Sequence, residues 1–198
     1  AGVREAARKF FDTLFNTYRF FELYASAEGW TPSDEDPSPE DRPLLDRWLL
    51  SRLDTVSAEV GRELDGYQLT KAYRALGDFV VEDLSNWYVR RSRSRFWGNG
   101  EAGDMHAAFR TLFDTLKRVV VLAAPCVPFS ADWLHRALAG GSVHLERFPD
   151  LSGGDGEGAN VSRSDPTLEA DMDAARALVS LGRAAREEVQ IRVRQPLR

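Results

Sequence analysis

Between Asp83 and Gly98 the chain reads DLSNWYVRRSRSRFWG, the stretch whose side chains are best suited to binding chemistry. From Leu84 to Gly100 there are four arginines (Arg90, Arg91, Arg93 and Arg95) and no carboxylate, interleaved with Trp87, Tyr88, Phe96 and Trp97. A guanidinium is a planar fork of donors that fits phosphate oxygens and stacks on bases. An aromatic ring is a platform for an unstacked base, worth about 1–3 kcal/mol per base. A basic, aromatic helix end therefore suits folded RNA with exposed loop bases. A solvated basic face is the alternative, although such faces usually mix both signs. The residues alone leave the two readings open. Counted at about 100° per residue, the stripe Leu69, Tyr73, Leu76, Val80, Leu84 carries Trp87 into the core rather than onto a platform. Tyr88, Phe96 and Trp97 stay undecided.

No catalytic constellation is legible. A nucleophile needs a base beside it, and His106, His135 and His144 are each isolated and read as structural or surface residues. Cys126, between Pro125 and Pro128, reads as a buried small hydrophobe rather than a reactive thiol. One cysteine and three scattered histidines offer neither a disulfide framework nor zinc-ligand spacing, so no metal site is expected. Glycine-rich nucleotide-binding motifs are missing too. Two charges fall within apolar stripes: Arg52 shares a face with Trp48, Leu49 and Val56, and Asp83 with Leu76, Val80 and Leu84. A buried charge is expensive unless paired, so the two should form a structural ion pair, or pair with a neighbour such as Arg90 or Arg91.

The elements that must position these groups are helical. Val3, Ala7, Phe10, Leu14, Tyr18 and Phe21 mark a first helix ending near Gly29. Thr31–Arg42, rich in proline and acid, reads as a solvated connector. Further helices are expected from Pro43 to Asp65-Gly66, from Leu69 to Gly98, from Met105 to Pro125, from Pro128 to Gly140, and around Leu168–Ala185. Ser142–Pro149 looks extended, Leu151–Asp165 reads as a flexible connector, and Val189–Leu197 alternates like a strand. This describes an all-α antiparallel bundle with the start of a strand at its C-terminal end. The division is a bundle over 1–150, a connector over 151–165, a last helix over 166–190 packing back on the bundle, and the start of a further domain over 191–198.

The whole chain has 198 residues with 26 Lys+Arg against 31 Asp+Glu, a net charge of −5. That balance argues against coating a polyanion over the entire surface. Acid collects at Glu28–Asp41 and Asp150–Asp171, however, so the average hides one basic helix end. No run reaches the roughly 18 apolar residues of a membrane span, and the charged start (Ala1–Phe10) does not read as a signal peptide. The orphan strand suggests a cut through a larger protein.

DFVVEDLSNWYVRRSRSRFW (Asp78–Trp97), preceded by LLDRWLLSRL (Leu44–Leu53), resembles the anticodon-binding helical domain of the isoleucyl-tRNA synthetase family. The resemblance extends to RKFFDTLFNTYRFFELYA (Arg8–Ala25), LAAPCVPFSADWLHRAL (Leu122–Leu138), SVHLERFP (Ser142–Pro149) and SLGRAAREEVQIRVRQPL (Ser180–Leu197), in the family's order. It implies a tRNA-binding surface formed or supported by Asn86, Trp87, Tyr88, Arg90, Arg91, Arg93, Arg95 and Trp97, with Arg183 and Arg186 as weaker candidates. The family's HIGH-like and KMSKS-like catalytic segments are not found, so the resemblance carries over no catalytic residue and no cofactor within this fragment. For the parent it implies an ATP-dependent ligase using Mg, allows Zn, and suggests a cytoplasmic monomer that meets no membrane. The implied partners are isoleucine tRNA and the remaining domains of the same synthetase. The rivals are the same bundle from a valyl- or related class I enzyme, and a helical protein-interaction module.

Overall fold

The computed structural model describes residues 2–97, 102–149, 163–192 and 195. Helices α1 (Gly2–Glu28), α2 (Leu44–Asp65), α3 (Leu69–Asp78), α4 (Arg90–Ser92), α5 (Ala102–Ala123) and α6 (Pro128–Ala139) belong to one compact unit, Ala1–Ser164. Helix α7 (Pro166–Glu188) belongs to a second, Asp165–Arg198. The fold is all-helical, and no strand occurs among the described residues. Pro43 opens α2 without costing a helical hydrogen bond, and Gly66 closes it by donating to the Arg62 carbonyl. The α2 stripe of Trp48, Leu49, Leu53, Val56 and Val60 is buried, as are Leu112, Leu116, Val119 and Leu122 from α5. α2 packs antiparallel on α3 through the short turn at 66–68, and α5 lies alongside α2 and α1.

The expected helix from Leu69 to Gly98 is one rod over 69–97, but not of one pitch. After α3 it widens into an eleven-residue π-helix, Phe79–Val89, passes through α4, and tightens into a 3₁₀ turn, Arg93–Trp97. Hydrogen bonds of the i→i+5 type add a residue to each turn, so every residue rotates less than in an α-helix. The core face is accordingly rewound. It carries Phe79, Val80, Leu84 and Tyr88 fully buried, whereas Trp87 is only half-buried. A constant step assigns the core position to Trp87; the widened turns hand it to Tyr88.

The connector at 31–42 is largely exposed, as expected, but is docked at two points, Asp36 and Arg42. Trp30 is buried and stacks on Phe109 with ring centres 5.5 Å apart. Asp36, its side chain 2% exposed, accepts from Trp30 Nε1 at 3.1 Å and from Arg110 Nη1 at 3.4 Å. Arg42 is buried and donates to the Pro37 carbonyl at 3.0 Å and to Thr111 and Asp114 at 3.1 Å each. The segment has too few apolar side chains to bury itself, but partners roughly seventy residues away along the chain satisfy the charges of Asp36 and Arg42.

Beyond α5 three further expectations change. Cys126 is exposed, because the turn between α5 and α6 places it at the surface. Ser142–Pro149 includes a 3₁₀ turn, Val143–Leu145, seated on α6 by Asp132. Hydrogen bonds from Arg136 and Ser142 pull the Asp132 carboxyl down to about 2. Gly140 ends α6 at φ 80°, a conformation that costs a side-chain-bearing residue strain. Val189 and Gln190 form a turn, with Gln190 at φ 56°, Ile191 and Arg192 carry no regular structure and Gln195 is a bend, so no strand is seen here; the remainder of Val189–Leu197 lies outside the described residues. So does most of the Leu151–Asp165 connector. His135 is buried, with Nδ1 2.7 Å from the Gly141 carbonyl oxygen, a structural placement.

Candidate nucleic-acid interface

The basic helix end is anchored by one buried carboxylate. Asp46, in the first turn of α2, is fully buried and accepts from the Tyr88 hydroxyl at 2.7 Å. Arg95 grips the same carboxylate with both terminal nitrogens, at 2.7 Å each, and donates Nε to both oxygens of Asp104 at 3.0 Å. This is a two-pronged fork, the strongest geometry a guanidinium makes. Burial opposes the charge on Arg95, and the Asp46 hydrogen bonds with the surrounding negative charge outweigh it, driving its pKa up. Burial, followed by the neighbouring Asp46 charge, pushes the Tyr88 phenol well above 10, which keeps it a donor. Phe96 adds an apolar anchor, fully buried with its ring 5.1 Å from both Phe20 and Phe109.

Tyr88 and Arg95 are therefore supports of the surface and not part of it. Their hydrogen-bonding capacity is committed to Asp46 and Asp104, and Tyr88 has no exposed area. What faces solvent is Arg90, Arg91 and Arg93, with Trp97 50% exposed beside them. Asn86 is exposed and donates to Glu82 at 3.1 Å. The Arg91 guanidinium carbon sits 3.6 Å from the centre of the Trp87 ring, a cation–π stack that leaves both groups at the surface. Arg52 of α2 meets Asp83 of the π-helix at 3.3 Å and ties the base of the rod to the bundle. In the second unit Arg183 is exposed, whereas Arg186 donates to the carbonyls of Arg192 and Gln195 at 3.0 and 2.8 Å.

Asp46 and Asp104 are structural supports of the helix end that sequence reasoning missed. The available signal was a carboxylate two residues before Trp48, on the buried side of α2, with no partner nearby in sequence. Among the described residues no cluster of three or more His, Cys, Asp and Glu side chains is placed to hold a metal ion. No described helix is long and apolar enough to cross a membrane.

Residues 46–198, which contain this helix end and both its supporting carboxylates, match the pattern of the family described as the anticodon-binding domain of tRNA ligase. The chain belongs to that family. As an anticodon-binding domain it is similar, over 99% of its length, to an isoleucine–tRNA ligase of Porphyromonas gingivalis, with 46% identity over 198 residues. It is 44% identical over 203 residues to one from Bacteroides fragilis, and 44% identical over 202 residues to one from Streptomyces coelicolor. The domain spans only 17–18% of the length of these relatives.

Proposed function

We propose that this domain binds the anticodon arm of isoleucine tRNA within an ATP-dependent isoleucine–tRNA ligase. Its role is positional: arginine–phosphate contacts orient the tRNA so that the acceptor end reaches a catalytic domain elsewhere, while exposed rings take loop bases. The observation that carries the reading is the exposed trio Arg90, Arg91 and Arg93 beside Trp97, held from beneath by the Asp46 fork. Arg183 is a further backbone contact. The parent on this reading is a monomeric cytoplasmic ligase in which ATP and Mg serve amino-acid activation.

Binding of an isoleucine tRNA transcript to the 198-residue chain, titrated across salt, tests the reading. Each lost phosphate contact flattens the log–log salt slope by about 0.7–0.9. The variant R90A/R91A/R93A should therefore lose about 2–3 units of slope and weaken binding roughly thirtyfold at moderate salt. An unchanged slope and affinity would refute the assignment. A valine tRNA transcript should bind more weakly; equal binding would leave the basic end as a tRNA grip without isoleucine selectivity.

A further inference from the structure

The segment that follows α6 is fastened back onto it at two places, and the two grips respond differently to protons. At the first, Asp132 accepts from the Ser142 hydroxyl at 2.5 Å and from the Val143 N–H at 3.1 Å. With its carboxyl held at about 2, this grip keeps its charge across the neutral range. At the second, the His135 ring, 1% exposed, stands between two oxygen acceptors. Nδ1 lies 2.7 Å from the Gly141 carbonyl oxygen, and Nε2 lies 3.2 Å from Glu146 Oε1.

A carbonyl oxygen only accepts, so Nδ1 carries the proton of the neutral ring. Nε2 then turns a lone pair toward a carboxylate, and two acceptors repel. Nε2 is indeed buried with no aligned hydrogen bond among the described residues, although Glu146 is within ion-pair distance. A second proton converts the same contact into a charged N–H opposite a carboxylate, roughly twice as strong as a neutral hydrogen bond. Only the doubly protonated ring satisfies both of its neighbours.

The surrounding charges are few. Lys117 of α5 stands 3.5 Å from the same Glu146 oxygen, so the carboxylate is shared. On α6 itself Asp132 is committed to Arg136 at 2.7 Å as well as to Ser142. From α1, Phe15 and Tyr18 meet Trp133 of α6; burial, then the Glu22 charge, raises the Tyr18 phenol above its usual value and keeps it neutral. His144 and Arg147 flank Glu146 on the segment and are exposed. Imidazole is the side chain that changes charge between about pH 5 and 8, which makes the buried ring the group that switches this grip.

We propose that His135 and Glu146 form a proton-operated clasp. The ring with two protons holds the 142–149 segment against α6; loss of one proton frees its Glu146 end, while Asp132 keeps the Ser142 end in place. The clasp is closed at low pH, and its contribution is lost as pH rises through the titration of the ring. It stands apart from RNA binding, since neither residue belongs to the helix end.

Amide exchange of the 198-residue chain tests this, read as the opening constant of residues 143–148 after correction for the intrinsic rate. Wild-type opening should rise about tenfold from about pH 5 to 8. In Glu146→Gln, which removes the carboxylate but keeps an acceptor, the rise should stay under about twofold. His144→Gln should behave like the wild type, which separates the buried ring from the exposed one. Ring-nitrogen NMR of the wild-type chain adds a readout that needs no variant: both nitrogens of His135 protonated in the closed form, Nδ1 alone in the open form. Opening that ignores pH, a pH dependence that survives in Glu146→Gln, or an open form protonated at Nε2 instead of Nδ1 would each overturn the clasp.

Discussion

Replacing Asp46 with alanine is expected to destabilise the chain by about 3–5 kcal/mol, the usual cost of removing one partner from a buried ion pair. The carboxylate has no exposed area and satisfies the Tyr88 hydroxyl together with both terminal nitrogens of Arg95. Without it, Arg95 keeps only Asp104 and a long hydrogen bond to Ser92 at 3.5 Å, and the Tyr88 hydroxyl is left buried without that acceptor. Asp46→Asn retains an acceptor oxygen and should cost less. Urea unfolding measures both, provided the slope with denaturant stays constant. A change under 1 kcal/mol for Asp46→Ala would mean that the fork does not anchor the helix end. Lost stability should be accompanied by weaker tRNA binding, because the supports fail before any contact residue is touched.

Phe109→Ala should cost a comparable amount, about 3–5 kcal/mol, for a different reason. The ring is fully buried where three elements meet: Phe21 of α1 at 6.4 Å, Trp30 at the start of the connector at 5.5 Å, and Phe96 of the helix end at 5.1 Å. Truncation leaves a cavity that small relaxations cannot fill, and it withdraws the stacking surface of Trp30. The tryptophan emission should shift to the red as the connector loosens. Phe109→Leu, which keeps most of the volume, should lose less. Equal losses for alanine and leucine would point to the aromatic geometry rather than the filled volume.

Helix boundaries and fold class were legible because local chemistry decided them. Pro43 and Asp65-Gly66 bracket α2 within a residue or two, and the period of α1 and α5 is regular. The rod at 69–97 was not legible in detail, since a π-helix is a choice between two backbone patterns that the same apolar residues tolerate. That choice exchanged Trp87 and Tyr88 between surface and core. The docked connector was hidden for a related reason: Asp36 and Arg42 look solvated until Arg110, Thr111 and Asp114 arrive from α5. At the candidate site the composition pointed to the right stretch but not to the division of labour. Four arginines in six residues look equivalent, yet Arg95 is spent on Asp46 and Asp104 while Arg90, Arg91 and Arg93 are exposed.

The central claim is that RNA is gripped at the exposed Arg90–Trp97 helix end. Amide hydrogen exchange of the 198-residue chain, with and without an isoleucine tRNA anticodon stem–loop, tests it most directly. The account predicts added protection at 90–97, with none on the exposed Phe129–Trp133 face of α6. Protection confined to α6, or none at 90–97 at a stem–loop concentration that saturates binding, would contradict it.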